Sequence, residues 1–438
     1  MSIIYALATP PAQSAICVFR VSGEGCLDAL SKLFSSELVE PRYFYKTEML
    51  NNGAFVDSVA VVFFKGPKSF TGEDSFEVYA HGGLAVMSKI VEVFDAICFE
   101  EAQPGEFSKR AFLNNKISLS QAEAVSDLIS ASSKEEASRV SLVLGGDFES
   151  RIFDFSGQLD ALRVLVEGEI DFTDEDEVFI QNLAGLGADV SRLSAEFCSF
   201  AGACSSRKDG FNKPRVLIAG PPNSGKSSLF NSLLSRDRSI VSSIAGTTRD
   251  LIDSELVLQN IVLTLGDSAG VRDTDDLIEG AGINISFDEI KKSDLVILVF
   301  DEETESSVSF FRELLGEQKN LLVYNKIDVS DKRPLGFDLF VSAKEMDGLN
   351  ELRKILDERL SVDESEDLTY LVRERHINIF SEVSSRLDFV SSSIEANESL
   401  DVVAENLKAC RDLLAEVVGI KTSDELLGEI FSSFCIGK

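Results

Sequence analysis

The sequence predicts an α/β-plus-α architecture: a mostly parallel α/β segment inserted into a discontinuous helical domain, with a second, N-terminal α/β domain ahead of both. Three observations predict it. After Lys208-Asp-Gly-Phe-Asn-Lys-Pro214, short apolar runs alternate with helical stretches, the pattern of a parallel sheet covered by helices. From Ser118 to about Ala203, and again beyond Asp363-Glu-Ser-Glu-Asp367, apolar residues recur three and four apart with few breakers, as at Val125, Leu128 and Ile129. Before about residue 115, apolar runs such as Ala15-Ile-Cys-Val-Phe-Arg20 and Val59-Ala-Val-Val-Phe-Phe64 are separated by Gly/Pro-rich turns.

The expected divisions are therefore 1–115 for the N-terminal α/β domain, 116–207 for the first helical part, 208–362 for the inserted domain and 363–438 for the second helical part. A chain of 438 residues has room for several domains of about 100–200 residues each. The two helical parts flank the insertion and are expected to pack together as one bundle. Asp171-Phe-Thr-Asp-Glu-Asp-Glu177 lacks the spacing of a calcium loop and reads as a solvated acidic loop. Thr422-x-x-Glu425 reads as a capping box opening a last helix.

Composition narrows the function. A net charge of −32, from 42 basic and 74 acidic residues, repels a polyanion over most of the surface, so an RNA substrate needs a local basic patch or a basic partner. No apolar run approaches the roughly 18–20 residues that span a bilayer. Met1-Ser-Ile-Ile-Tyr5 lacks the basic and apolar regions of a secretory signal, and the expectation is a cytoplasmic protein. Seven scattered cysteines without a Cys-x-x-Cys pair fit reduced thiols. Of the two histidines, His81 precedes Gly82-Gly83 and reads as a hydrogen-bonding residue in a turn.

The inserted segment carries a nucleotide site. The apolar strand Arg215-Val-Leu-Ile-Ala219 runs into Gly220-Pro-Pro-Asn223-Ser224-Gly225-Lys226-Ser227-Ser228 and then a helical stretch, the context a P-loop requires. Glycines let the backbone wrap phosphates, amides and the helix N-terminus attract their charge, Lys226 reaches the β and γ groups, and the Ser227 hydroxyl takes Mg²⁺. Ser242-Ser243-Ile244-Ala245-Gly246-Thr247-Thr248 follows, in which the Thr248 hydroxyl can serve the metal. Asp267-Ser268-Ala269-Gly270 ends the strand Ile261–Leu265; Asp267 can hold the magnesium shell and the Gly270 amide the γ-phosphate, which makes a switch. Asn325-Lys326-Ile-Asp328 ends a strand, and so does Ser342-Ala343-Lys344. The Asp328 carboxylate accepts both N1–H and N2–H₂ of guanine, a donor pair adenine lacks. This ordered set resembles the translation-factor-related GTPases, a P-loop G-domain, with Val271 where Ras-like proteins carry a water-positioning glutamine.

The flanks discriminate further. Ala8-Thr-Pro-Pro11, Ser69-Phe-Thr-Gly-Glu-Asp74, His81-Gly-Gly83, Pro104-Gly-Glu-Phe-Ser-Lys-Arg-Ala-Phe-Leu-Asn114, Gln121-Ala-Glu-Ala124 and Phe431-Ser-Ser-Phe-Cys-Ile-Gly-Lys438 resemble, nearly end to end, the MnmE (TrmE) family of tRNA-modification GTPases. The resemblance implies a homodimer whose N-terminal domains bind a folate, 5,10-methylenetetrahydrofolate or 5-formyltetrahydrofolate. It also implies a flavoprotein partner, MnmG (GidA), in a heterotetramer, and GTP-dependent installation of an aminomethyl or carboxymethylaminomethyl group at C5 of the wobble uridine in certain tRNAs. The partner would then hold most of the tRNA.

By the same resemblance K⁺ activates paired G-domains, with Asn223, Ser242, the Ile244 carbonyl and Thr247 at the potassium positions, and Glu279 stands at the water-positioning glutamate; spacing alone reads Glu279 equally as a solvated acid. The folate residues map to Arg20, Glu77, Lys116 and Lys438; taken singly, each reads as a surface charge. Cys435 fits either a nucleophilic or redox thiolate or a small packed thiol. Three places depart from the family: Ser242 and Ser268 replace threonines, and the glycine- and arginine-rich turn after Thr-Pro-Pro reads Ala12-Gln-Ser-Ala-Ile-Cys17, which bears on the shape of the folate pocket. Rival readings share the G-domain. A ribosome-assembly GTPase would carry a basic RNA-binding domain and co-sediment with ribosomal subunits. A dynamin-like remodeller would carry an amphipathic basic helix and bind liposomes.

Overall fold

The computed structural model describes residues 2–171, 176–206, 213–235, 253–267, 287–316, 319–330, 332–360, 369–396, 398–421, 423–432, 434 and 437. It divides into two compact units, one of Met1–Ser130, Arg139–Ser206 and Asp367–Lys438, the other of Ala131–Ser138 and Arg207–Glu366.

The first unit opens with β1 (Ile4–Leu7), β2 (Ile16–Ser22), α1 (Leu30–Leu33), β3 (Tyr45–Asn51), β4 (Ala54–Phe64), β5 (Ser75–His81), α2 (Leu84–Ala96), β6 (Glu100–Glu101) and α3 (Glu106–Leu113). The strands form one sheet in the order β3-β4-β5-β2-β1-β6, antiparallel except for β1 with β6. Alternate residues of β2 and β5, among them Cys17, Phe19, Phe76 and Val78, face α2, whose Met87, Ile90, Val93 and Phe94 recur at helical spacing; both sets are buried. The other face leaves Arg20 and Glu77 directly opposite each other.

Then come α4 (Leu119–Ile129), α5 (Lys134–Leu144), α6 (Asp147–Asp171), α7 (Asp176–Gly202) and β7 (Cys204–Ser206). Ser118 caps α4: its Oγ accepts the Gln121 N–H at 3.2 Å while Gln121 Oε1 accepts the Ser118 N–H at 3.0 Å. The helix is where the apolar spacing puts it, yet it buries a different face. Val125 and Leu128 are half-buried and Ile129 is exposed, whereas Ala122, Glu123, Ala124 and Asp127 are buried. Two carboxylates occupy the core side because arginines from the far end of the chain meet them.

The second unit contains β8 (Arg215–Ala219), α8 (Lys226–Ser235), β9 (Asp253–Val257), β10 (Val262–Asp267), α9 (Phe287–Lys292), β11 (Leu295–Phe300), α10 (Val308–Leu315), β12 (Asn320–Tyr324), β13 (Leu339–Phe340) and α11 (Leu349–Leu360). Its sheet runs β13-β12-β11-β8-β10-β9, parallel except for β9 against β10. β11 is buried along its whole length, as a strand covered on both faces must be. Ile297 and Val299 pack with Leu229, Leu233, Leu352 and Leu356 on one side; Val296, Leu298 and Phe300 pack with Ile290 and Phe311 on the other. Ala131–Ser138, which the sequence reading assigns to the helical part, groups with this unit because its backbone pairs with the β9–β10 turn. Val262 N–H donates to the Ser132 carbonyl at 2.6 Å, and Lys134 N–H to that of Asn260 at 3.2 Å.

The chain returns to the first unit with β14 (Tyr370–Val372), parallel to β7, then α12 (Glu374–Glu395), α13 (Leu400–Val418) and α14 (Asp424–Ser432). α13 packs on α6, and α12 on α7 and α13, so the two helical parts form one bundle. Its centre is aromatic, with Phe148 5.5 Å from Tyr370, Phe155 5.2 Å from Phe197 and Phe197 5.8 Å from Phe380. Arg375 Nη2 meets Glu123 Oε2 at 2.8 Å and Arg373 Nη2 meets Asp127 Oδ1 at 2.8 Å. Ser423 Oγ accepts the Leu426 N–H at 3.3 Å at the start of α14; Thr422 and the Glu425 side chain of the expected box lie outside the description. Among the described residues no helix is long and apolar enough to cross a membrane.

Candidate nucleotide site and a second pocket

The parallel order of β8, β10, β11 and β12 brings the loops after their C-terminal ends to one edge of the sheet, where ligands bind in open α/β folds. The P-loop leaves β8 there and enters α8. Its backbone visits left-handed geometry at Asn223, φ 61°, and Gly225, φ 94°. A Cβ at Gly225 would fall 2.2 Å from Asn325 Nδ2, so only glycine lets this loop lie against its neighbour.

Asn325 holds the site together. Its Nδ2 donates to the Ser224 carbonyl at 3.0 Å, and its Oδ1 accepts the Ala343 N–H at 3.1 Å. Three loops far apart in sequence are thereby fixed by one buried amide. Ser342 Oγ donates to Asp328 Oδ1 at 2.6 Å, and that hydrogen bond leads in holding the Asp328 carboxyl below the ordinary range. Asp328 is exposed, an acceptor-only group at neutral pH open to a ligand's donors. Lys344 is largely exposed, with Glu345 3.6 Å away.

Lys226 Nζ folds back onto the Pro221 carbonyl at 2.7 Å, while Ser227 and Ser228 are exposed at the start of α8. Ser224 Oγ is buried without a hydrogen-bond partner among the described residues. Asp267 closes β10 in register with Ile218, next to the last residue of β8, so its backbone stands at the P-loop end of the sheet. Ser242, Ser243, Ile244, Ala245, Gly246, Thr247, Thr248, Ser268, Ala269, Gly270, Glu279, Cys435 and Lys438 lie outside the described residues.

One residue of the site escapes sequence reading. Asp301, 4% exposed, receives Lys326 Nζ at 2.6 Å, and the same Nζ donates to the Asn223 carbonyl at 2.7 Å. Burial by itself raises the Asp301 carboxyl; hydrogen bonds from Lys326 and Thr304 outweigh it and hold the group below its ordinary range. Its signal was its place directly after the apolar strand Leu295–Phe300, at the sheet edge that carries the P-loop.

The first unit has a pocket of about 160 Å³ beside β2 and β5, walled by Phe64, Phe70 and Phe107. Arg20 Nε meets Glu77 Oε1 at 3.0 Å, and Tyr79 Oη donates to Glu77 Oε2 at 2.7 Å; burial, then Glu77, pushes the Tyr79 hydroxyl up to about 12. The Arg20 guanidinium lies 5.7 Å from the Phe70 ring centre and 5.9 Å from that of Phe107. The structure thus brings Arg20 and Glu77 together. Lys116 stands on the other side of the Lys65–Gly72 loop, its Nζ on the Pro67 carbonyl at 2.9 Å. Gly72, φ 81°, lets that side chain pass: a Cβ there would fall 3.2 Å from Lys116 Cγ. The departing turn at Ala12–Cys17 does not line the pocket; it packs at the far ends of the strands, Ser14 N–H donating to the Gly82 carbonyl at 2.9 Å. His81 closes β5, its Nδ1 2.8 Å from Asp57 Oδ1.

Residues 3–116 match the model of the GTP-binding protein TrmE N-terminus, and residues 119–435 that of the MnmE helical domain. The tRNA modification GTPase MnmE of Legionella pneumophila (strain Corby) is 38% identical over 446 residues, and that of Francisella tularensis subsp. holarctica (strain FTNF002-00 / FTA) 33% over 447, each alignment covering 99% of both chains. Among solved structures, the G domain of the T. maritima FeoB iron transporter matches at 28% identity and a TM-score of 0.27, covering 34% of this chain and all of that one. With its P-loop G-domain, its helical bundle and near end-to-end similarity to those relatives, the chain belongs to the tRNA modification GTPase MnmE family.

Proposed function

We propose that this chain hydrolyses GTP in the cytoplasm to drive C5 modification of the wobble uridine of certain tRNAs, as a homodimer working with a flavin-dependent partner of the MnmG (GidA) kind. The observation that carries the reading is the Asn325 hub, which ties the P-loop to the loop carrying Asp328 and the Ser342–Lys344 loop. In this reading Asp328 selects guanine through N1–H and N2–H₂. Lys226 exchanges the Pro221 carbonyl for phosphate oxygens, a charge-assisted and therefore stronger partner.

The loop fits a phosphate: it has glycine where a side chain would collide with Asn325, and the exposed Ser227 hydroxyl next to Lys226. Ser227 and Thr248 would hold Mg²⁺, with Asp267 in its shell; Asn223, Ser242, the Ile244 carbonyl and Thr247 would hold K⁺. The two cations would supply positive charge against the negative charge that develops on the phosphates, the role an arginine finger has elsewhere. Glu279 positions the attacking water, which Val271 cannot do.

In the N-terminal pocket Arg20, Glu77, Lys116 and Lys438 bind the tetrahydrofolate carrier. The aromatic walls suit a pterin face and Glu77 suits its donors. In the four-part division at 1–115, 116–207, 208–362 and 363–438, the nucleotide residues fall within 208–362, whereas the folate residues come from three parts: Arg20 and Glu77 from the first, Lys116 from the second and Lys438 from the last.

Two measurements test the proposal together. Purified chain is expected to turn over GTP at least about tenfold faster in K⁺ than in Na⁺, with ATP inert. Mass spectrometry of tRNA from cells lacking the chain is expected to show wobble uridines without the C5 group. Unchanged nucleosides would remove the modification role, and equal rates in the two salts the cation mechanism.

A further inference from the structure

The pocket beside Arg20 has a rim of cations, of which the folate assignment uses only Lys116. Arg42, Lys65, Lys68 and Lys116 are exposed around the Lys65–Gly72 loop, and none of them pairs with a carboxylate among the described residues. In a chain of net charge −32, four cations without acidic partners among the described residues, Lys65 and Lys68 on this loop and Arg42 and Lys116 bonded to its carbonyls, are out of keeping with the rest of the surface.

The loop's own hydrogen bonds create the cluster. Lys116 Nζ donates to the Pro67 carbonyl at 2.9 Å, Arg42 donates through Nη2 to the Lys68 carbonyl, and Lys68 N–H closes a turn on the Lys65 carbonyl at 3.0 Å. Arg42 is held at the end of β4, its N–H on the Phe63 carbonyl at 2.8 Å and its guanidinium 5.4 Å from the Phe64 ring centre. The acids nearby are engaged elsewhere: Glu73 and Glu106 by Arg110, Glu77 by Arg20 and Tyr79, and Asp74 Oδ1 by the Gly66 N–H at 2.8 Å.

We propose that this rim binds the poly-γ-glutamate tail of the folate carrier, so that the pocket discriminates by tail length; the inference rests on the folate reading above. A 160 Å³ pocket is smaller than the roughly 300–1,000 Å³ that encloses a drug-sized ligand, so the head group enters and the rest crosses the rim. Each added γ-linked residue brings one carboxylate to a surface that has cations and whose acids Glu73, Asp74, Glu77 and Glu106 are already engaged. A long nucleic acid would instead extend beyond this loop onto the acidic remainder, which repels it.

The test is calorimetric titration of the full chain with monoglutamyl and pentaglutamyl 5-formyltetrahydrofolate, on wild type and on a Lys65→Gln/Lys68→Gln variant, at about 50 and 300 mM salt. The expected result is that the pentaglutamyl form binds wild type about tenfold more tightly at low salt, as several exposed charge pairs acting together would give. That advantage falls below about threefold in the variant and at high salt. Equal affinity for the two forms overturns the tail assignment and leaves folate binding standing. Failure of both forms to bind overturns the folate reading itself. Equal folate affinities together with loss of tRNA binding in the variant would assign the rim to RNA and overturn the proposal.

Discussion

The two units build their polar centres in opposite ways. In the second unit each binding element is a short contiguous run at the end of a strand, and much of the ligand-facing surface is backbone, as at Gly225. In the first unit partners come from distant points of the chain: Arg20 meets Glu77 across a strand pair, Asp147 meets Tyr370, and Glu123 meets Arg375 across the bundle. A site made of contiguous loops can lose its ligand without unfolding. A centre made by long-range closure is itself part of what holds the fold.

The largest expected effect tests the second half of that contrast. Glu123→Ala leaves Arg375 and the buried His376 without their carboxylate and is expected to cost about 3 kcal/mol in the unfolding transition of the helical part. GDP affinity should stay within about twofold of wild type. The pH dependence has a defined sign. Burial raises the Glu123 carboxyl, but the cationic groups around it win and lower it to about 2. Stability from this group is therefore complete above the unfolded carboxylate range, near about 4.3, and declines as pH falls toward the folded value. Urea titrations between pH 6 and pH 3 should show that acid limb in wild type and a weaker one in the variant.

Gly225→Ala tests the other half. The added methyl meets Asn325 Nδ2 and requires a left-handed backbone, so nucleotide affinity is expected to fall by about a hundredfold or more while the helical part unfolds as before. Fluorescent GDP titration beside circular dichroism measures both. A loss of only a few fold would mean that the loop adapts and the contrast between the units is overstated.

A smaller effect sharpens the picture within the nucleotide site. Asp301→Asn removes the charge that steadies Lys326 against the Asn223 carbonyl, and GDP affinity should weaken about tenfold, mainly through faster release. Asp301 acts through Lys326, so Lys326→Ala should cost no more in the Asp301→Asn background than tenfold less than it costs alone. Additive losses would mean that Asp301 has a separate role.

What was legible follows the same division. β8, β12 and the P-loop stand where their runs of apolar and Gly-rich residues put them, because strand, turn and helix N-terminus each depend on residues a few positions apart. α4 shows the limit. Its apolar residues marked a helix, but the spacing could not mark which face turned inward, since that depended on Arg373 and Arg375, about 250 positions away. Asp301 and the rim cations Arg42, Lys65 and Lys68 were hidden for the same reason: an isolated charge in a sequence is indistinguishable from a solvated one until its neighbours are known.

The sequence by itself determined the class of nucleotide site, the insertion of that unit into a helical frame, and the family, because each rests on local order along the chain. Only the tertiary structure decided which acids are buried, that Arg20 lies against Glu77, and that Arg42 and Lys116 gather with Lys65 and Lys68 around one loop without acidic partners among the described residues. Those facts depend on strand register and on chain ends meeting, and charge energetics are set by distance and burial in space, neither of which a linear order contains.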